Sequence, residues 1–232
     1  MIKMGAAYFD QFKVVDLIAV TNSSMMMMLA VAVALILLKG DRLIPNRWQA
    51  IMELIYDHFH GLVKDNSGTQ YFPFVFSLFI FIVFLNLLGL FPYVFTVTVH
   101  VVVTLGLSFS IVIGVTLAGL WKFKWNFLSI LMPAGAPLGL APLLVIIETV
   151  SYISRAISLG IRLAANLSAG HLLFAILAGF GFNMLTTAGV LNIFPVLIMV
   201  FISLLEAAVA VIQAYVFSLL TTIYLADTIV LH

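Results

Sequence analysis

Glu148, Arg155 and Arg162 stand seven residues apart, Asn166 falls one helical turn past Arg162, and His171 follows. Seven residues make about two turns, so a helix places the first three on one face. Glu206 and Gln213 repeat the seven-residue step further on, and Asp227 closes the set. These side chains divide by chemistry. A guanidinium keeps its proton in proteins, so Arg162 cannot carry protons; it is a fixed positive charge that attracts a carboxylate and blocks a proton. His171 and Glu206 can titrate and suit a relay. Gln213 can hydrogen-bond the guanidinium and orient it without adding charge.

An antiparallel hairpin would bring these groups together. Pairing Arg162 with Gln213 and Glu148 with Asp227 is a single register, and His171 with Glu206 falls within two residues of it, centred near residue 187. Around Arg162 the residues are small: Ser158, Gly160, Ala164, Ala165, Ser168, Ala169 and Gly170. Small residues at four-residue spacing let helices approach closely. A thin helix bearing one permanent charge suits a second helix passing close by.

Composition fixes the solvent around these elements. Of 232 residues, 64% are hydrophobic and 8% charged. Soluble domains carry about a quarter charged residues, so a chain this apolar must lie in a bilayer, as helices or a closed barrel. Its apolar runs are continuous and do not alternate, which excludes the barrel. In such a medium a charge costs a few kcal/mol, about 3 on the insertion scale, and marks function by default. A net charge of +1 argues against nucleic acid as a partner. The absence of cysteine excludes disulfides and thiolate metal sites. No metal or cofactor is expected.

Residues 17–38 carry no Asp, Glu, Lys or Arg and predict one span, long enough to stay in the membrane and not be cleaved as a signal. The run Met25 to Met28 within it suits packing or lipid contact. Residues 47–64 predict an amphipathic surface helix. Trp48, Ile51, Met52, Ile55, Phe59, Leu62 and Val63 take one side; Gln49, Glu53, Asp57, His60 and Lys64 take the other. His58 and His60 read as part of a solvated face. From Asn66 to Trp121 no such charge occurs, and Pro92 divides the run into spans at 72–91 and 98–121. Residues 125–142, with Pro133, Pro137, Pro142, Gly135 and Gly139, form a connector. Two long apolar stretches, 143–180 and 193–226, would reach about 55 and 50 Å as helices, against a hydrocarbon core of about 30 Å. The expected fold is thus an all-α membrane protein, one membrane domain over 1–232, ending in a hairpin of two long, strongly tilted or horizontal helices whose turn is flanked by Gly181 and Gly189.

The stretch from Ser154 through Arg162 to His171, the block Asn86-Leu87-Leu88-Gly89-Leu90-Phe91-Pro92-Tyr93, the block Gln213-Ala214-Tyr215-Val216-Phe217 and the Tyr224-Leu225 ending resemble subunit a of F-type ATP synthases. The resemblance runs from about residue 40 to the end. His171 with Glu206 looks like the mitochondrial branch, since bacterial members tend to carry the two types in exchanged positions. Ala156 departs from the family's usual proline, which bears on local helix geometry. The resemblance implies a non-catalytic, proton-conducting stator subunit of the membrane sector, Fo. Its partners would be a ring of c subunits, other Fo and peripheral-stalk subunits, lipids and protons. It implies two half-channels kept apart by Arg162, with Asn166, His171, Glu206 and Gln213 at inlet-path and Arg-supporting positions, and Glu148 and Asp227 at acidic positions, Glu148 toward the exit. It places the chain in the mitochondrial inner membrane, with a bacterial plasma membrane as the alternative. No phosphate-binding loop occurs, so nucleotide chemistry would lie in other subunits. A secondary transporter would show repeated halves, whereas this chain has a charge-poor first half and a polar last hairpin. No Ser/His/Asp or His-Glu-x-x-His arrangement supports an intramembrane enzyme.

Charge asymmetry predicts topology. Lys39, Arg42 and Arg47 follow the first span, Lys122 and Lys124 follow the third, and the 91–97 tip has none. The positive-inside rule then puts the Lys122–Lys124 loop on the matrix side and the tip and N-terminus opposite. Because the chain lacks cysteine, Phe123→Cys supplies a unique label site. It should react with a membrane-impermeant maleimide only when the matrix face is open; reaction from the outer face would reverse the topology.

Overall fold

The computed structural model describes residues 12–17, 20–38, 46–91, 94–124, 141–187 and 193–229. A two-residue strand pair, β1 (Asp16–Leu17) and β2 (Val20–Thr21), precedes the helices α1 (Asn22–Leu37), α2 (Arg47–Asn66), α3 (Phe72–Gly89), α4 (Val101–Phe123), α5 (Ala141–Thr187) and α6 (Ile193–Ile229). Short 3-10 turns occupy Thr69–Tyr71 and Val97–Val99. The chain is an all-α protein in which four helical stretches are long and apolar enough to cross a membrane: Thr69–Gly89, Val101–Phe123, Pro142–Phe182 and Pro195–Ile229. Residues 125–140 of the expected 125–142 connector, Pro92 and Gly189 lie outside the described residues; its last two, Ala141 and Pro142, open α5.

The first apolar run departs from expectation. Helix α1 begins at Asn22, not at residue 17, because Thr21 is an extended N-cap whose side chain accepts from Ser24 N at 3.4 Å. A hydroxyl cap satisfies an orphan amide and fixes the start of a helix. The 16 residues that remain reach about 24 Å, short of the hydrocarbon core. Met25 and Met28 are exposed, while Met26 and Met27 pack against the core. The Trp48 indole N–H donates to Leu37 O at 3.2 Å and ties the start of α2 to the end of α1.

Helix α2 is two-faced, as its sequence requires. Phe59 and Val63 are buried, whereas Ile51 and Leu54 stay open. Phe59 stacks into the bundle, its ring 4.4 Å from Phe79 and 5.7 Å from Tyr215 between centroids. The His60 position corrects the sequence reading of a solvated face. Its ring is half-buried, stacked on Tyr56 at 6.2 Å and edge-on to Phe72 at 5.1 Å. The polar stripe and the aromatic seam meet there because α2 leans on the start of α3. His58 stays exposed and bonds the Tyr215 hydroxyl at 3.1 Å.

Helix α3 is apolar all round, and a helix with no polar face belongs inside. It forms the centre of the bundle, with Val75 and Ile82 fully buried. Its one amide, Asn86, is fully buried and donates from Nδ2 to Ala210 O at 3.2 Å. Tyr71 and Leu225 line a common cavity of about 320 Å³ further along, so α3 and α6 run antiparallel. Helices α4 and α5 are joined by Ser108, whose hydroxyl donates to Ala156 O at 2.7 Å. Gly160 makes that contact possible. A Cβ there would fall 2.9 Å from both Ser108 Oγ and Thr104 O and 3.0 Å from Leu105 Cα.

In lipid, helix association depends on such close packing, with each interhelical hydrogen bond adding only about 0.6 kcal/mol on average. Because two of the three atoms facing Gly160 are backbone, they cannot move aside cheaply. Gly160→Ala should therefore destabilise the α4–α5 contact by about 1–3 kcal/mol, and Ser108→Ala by less. Thermal inactivation of the solubilised assembly, run on both variants, checks the order; equal effects would show that the hydrogen bond and not the packing dominates.

Candidate functional site

Helices α5 and α6 form the antiparallel hairpin that the polar spacing predicts. Gly181 lies against Pro195, with 3.6 Å from its would-be Cβ to the proline Cβ. Gly170 lies against the Glu206 carboxyl group. Arg155 reaches Asp227 at 3.7 Å. The first two crossings fall within one residue of the register that sets Glu148 opposite Asp227; the long Arg155 side chain reaches Asp227 from two turns away.

At the far end from the turn, Arg155 bridges the two acids. Its Nη2 lies 3.4 Å from Glu148 Oε1 and 3.3 Å from Ser151 Oγ, and its Nη1 lies 3.7 Å from Asp227 Oδ2. Tyr152 and Tyr224 stand near the same charges. These ion-pair side chains are more than a third exposed, so their contribution to stability is small, about 0–1 kcal/mol in water. The cluster holds two carboxylates in place without burying them.

Arg162 differs from Arg155. The buried side of α5 consists of Ala156, Leu159, Leu163, Ala164 and Leu167. Arg162 lies outside that buried side and is exposed, on a flank it shares with exposed Ser158, Ala165 and Ala169. Among the described residues no ion pair and no hydrogen bond involves Arg162. Gln213, on the facing helix, is half-buried, and no direct bond joins the two. Asn166 is likewise half-buried one turn on.

Toward the turn lies the titratable pair. Glu206 is buried at 9% exposure, and its Oε1 has no hydrogen-bond partner among the described residues. Its carboxyl group packs where Gly170 has no side chain. His171, the next residue, is half-buried; its Nε2 lies 3.1 Å from Thr96 Oγ1 and its ring is edge-on to Phe12 at 6.1 Å. The structure thus brings Glu206 against the residue preceding His171, with no direct bond between the two side chains.

Thr96 is a partner that charge-based reading passes over. The 91–97 tip carries no charge, but its hydroxyls are signals of their own. Thr96, Thr98 and the following His100 lie in or beside the 3-10 turn that packs on α5. Buried Thr98 Oγ1 and His100 Nε2 are without hydrogen-bond partners among the described residues. No group of three metal-ligating side chains occurs among those residues.

An all-α bundle with four membrane-length apolar helices, and a terminal hairpin carrying an open cation and, two turns further along, a buried acid, defines a polytopic membrane protein built around intramembrane charge. The comparisons make this specific: the chain belongs to the ATP synthase A chain family, which it matches over residues 21–226. It is 94% identical over 229 residues to ATP synthase subunit a of Metridium senile, covering 99% of this chain and 100% of that one. ATP synthase subunit a of Marchantia polymorpha is 44% identical over 252 residues, covering 99% and 100%. That of Emericella nidulans is 41% identical over 246 residues, covering 96% of each.

The Gly170–Glu206 contact yields a test. A methyl at Gly170 would lie 2.7 Å from Glu206 Cδ and 3.1 Å from its Cγ, so the carboxyl must shift. A displacement of about 1 Å at a reacting group costs up to about 100-fold in rate. Gly170→Ala should lower proton-driven ATP synthesis by a factor of that order, and Glu206→Asp in the same chain, being one methylene shorter, should recover part of it. Full activity of Gly170→Ala alone would show that the position of Glu206 is not critical.

Proposed function

We propose that this chain is the proton-conducting stator subunit of the Fo sector of a mitochondrial rotary ATP synthase, a multi-pass protein of the inner membrane working against a ring of c subunits. One observation carries the reading: among the described residues of the hairpin, Arg162 is the one charged side chain with neither an ion pair nor burial. A lone guanidinium in hydrocarbon costs about 3 kcal/mol or more. A carboxylate presented by another subunit removes that cost, and a thin helix with its charge on the open side allows the approach.

The mechanism follows from the chemistry of each group. Protons enter from the intermembrane space through an inlet half-channel lined by Asn166, His171 and Glu206, and reach a ring carboxylate. The neutralised carboxyl turns away through lipid. On arrival at the exit half-channel it loses its proton toward Glu148 and Asp227, which Arg155 holds in place. The bare carboxylate then passes Arg162, whose charge compensates it. Because the guanidinium neither releases nor accepts a proton, it also repels a hydronium moving straight from one half-channel to the other. Gln213 orients the charge. Nucleotide chemistry belongs to other subunits.

The hairpin also sets a geometric condition. The 47 residues of α5 reach about 70 Å, more than twice the hydrocarbon thickness. A straight helix of that length fits only if it lies more than about 60° from the membrane normal, against an ordinary tilt of about 20°. Such a helix presents a long flank to a curved ring, and its two ends reach opposite faces of the membrane.

Arg162→Ala should assemble and abolish ATP synthesis in vesicles energised by a proton gradient, with a passive proton leak in place of coupled flow. Arg162→Lys should be severely impaired, since a desolvated ammonium can lose its proton and lacks the planar fork. Gln213→Ala should cost less, on the order of tenfold, the worth of the one hydrogen bond to a charged group that Gln213 would make to Arg162 with the ring in place. His171→Ala should slow coupled flow by at least about 100-fold without loss of assembly. Near-normal synthesis by assembled Arg162→Ala complexes would make that residue structural and overturn the reading.

A further inference from the structure

The hydroxyl of Thr96 has two partners, and their types decide where its proton goes. It lies 3.0 Å from Gly89 O and 3.1 Å from His171 Nε2. A threonine hydroxyl has one proton to give and two lone pairs to receive with. A carbonyl oxygen can only accept, so the Thr96 proton is committed to Gly89 O. Toward His171 the same oxygen must then accept, and Nε2 must carry a hydrogen. The bond to Gly89 is buried and not easily exchanged. Gly89 ends α3, and the last four carbonyls of a helix need partners from outside its own ladder.

From this we infer that Thr96, seated by Gly89, fixes neutral His171 as its Nε2–H tautomer and leaves Nδ1 as the atom that takes up and releases the proton. The inference rests on the relay role proposed for His171 and adds which nitrogen performs it. On proton uptake Nδ1 gains a hydrogen and the ring becomes imidazolium; on release that same hydrogen departs, and the Nε2–H···Oγ1 bond persists through both steps. No hydroxyl has to turn over within the cycle. The fixed side of the ring faces the tip of the α3–α4 connection, and the working nitrogen is left to the side of the ring away from it. Thr96 is a positioning residue, because it acts through His171 and never holds the transported proton.

The same contact assigns a purpose to Gly89. A Cβ there would lie 2.6 Å from Thr96 Cγ2 and 3.2 Å from its Oγ1. Any side chain at 89 would push the threonine off the carbonyl and away from the imidazole. The tip thus needs a glycine and a hydroxyl seven residues apart, and Thr96 is 3% exposed, sealed from competing water.

Two substitutions and one spectrum test this in the assembled complex. Thr96→Val keeps the shape and removes the acceptor; Thr96→Ser keeps the hydroxyl. With histidine labelled by nitrogen-15, the His171 signal, identified by its loss in a His171→Gln complex, should show a protonated Nε2 and a bare Nδ1 at neutral pH. Thr96→Val should mix the tautomers and lower proton-driven ATP synthesis roughly two- to tenfold, the range of one hydrogen bond. Thr96→Ser should restore both, and Gly89→Ala should behave as Thr96→Val does. A wild-type spectrum with hydrogen on Nδ1 would overturn the assignment, as would an unchanged tautomer and rate in Thr96→Val. Should that variant fail to assemble, the wild-type spectrum still decides. The relay role stands or falls separately: near-normal synthesis by His171→Ala removes it whatever the tautomer.

Discussion

A guanidinium held open in hydrocarbon is the constraint on which the rest of this chain turns. Arg162 cannot lower its cost by giving up its charge, as a lysine could by losing a proton or a carboxylate by gaining one. Its own chain offers no carboxylate within ion-pair reach among the described residues, although three acids lie on the same hairpin. Two of them, Glu148 and Asp227, are engaged by Arg155 at the other end. The third, Glu206, is buried against Gly170. The arrangement leaves every carboxylate of the hairpin outside ion-pair reach of Arg162, as the proposed meeting with a ring carboxylate requires.

The helices around Arg162 are shaped by the same need. A partner can approach only if α5 is thin, and its thinness is used on both sides. Toward the bundle, Gly160 lets Thr104, Leu105 and Ser108 come within contact distance; on the Arg162 flank, Ser158, Ala165 and Ala169 are small and exposed, and Tyr224 stands near enough to feel the charge. Lipid supplies no hydrophobic force to hold helices together, so the bundle relies on close contact and on hydroxyl or amide bonds to carbonyls. Ser108 to Ala156, Asn86 to Ala210 and Thr96 to Gly89 are three of these. Elsewhere Ser and Thr hydroxyls bond back to their own helix, as at Thr221 and Thr222. A hydroxyl in an apolar medium must be partnered, so which carbonyl each one meets is the main freedom left to evolution here.

Polar groups at two depths divide the labour. Near Arg155 the charges are paired and half-open, with Tyr152 and Tyr224 beside them. Toward Glu206 they are buried, and several polar atoms find no partner among the described residues: Glu206 Oε1, Thr98 Oγ1 and His100 Nε2. Buried polar atoms of that kind are satisfied by ordered water. Unpartnered buried polar atoms at one end of the hairpin and an ionic cluster at the other, with Arg162 between them in sequence, support the proposed pair of offset half-channels.

Much of this was legible in the residues alone. Composition dictated the bilayer, and the bilayer dictated helices, because no other open backbone satisfies itself there. Charge spacing dictated the hairpin, since a charge in lipid is too costly to be placed without a partner or a purpose. The register that pairs Glu148 with Asp227 was visible for the same reason. What the residues could not specify were contacts between uncharged groups. Thr21 starting α1 five residues late, His60 turned into an aromatic seam and Thr96 bonded to His171 each depend on where a distant backbone happens to pass. Hydroxyls and imidazoles carry no obligation strong enough to reveal their partners in one dimension, so only the packing of α3, α4 and α5 around the tip decided them.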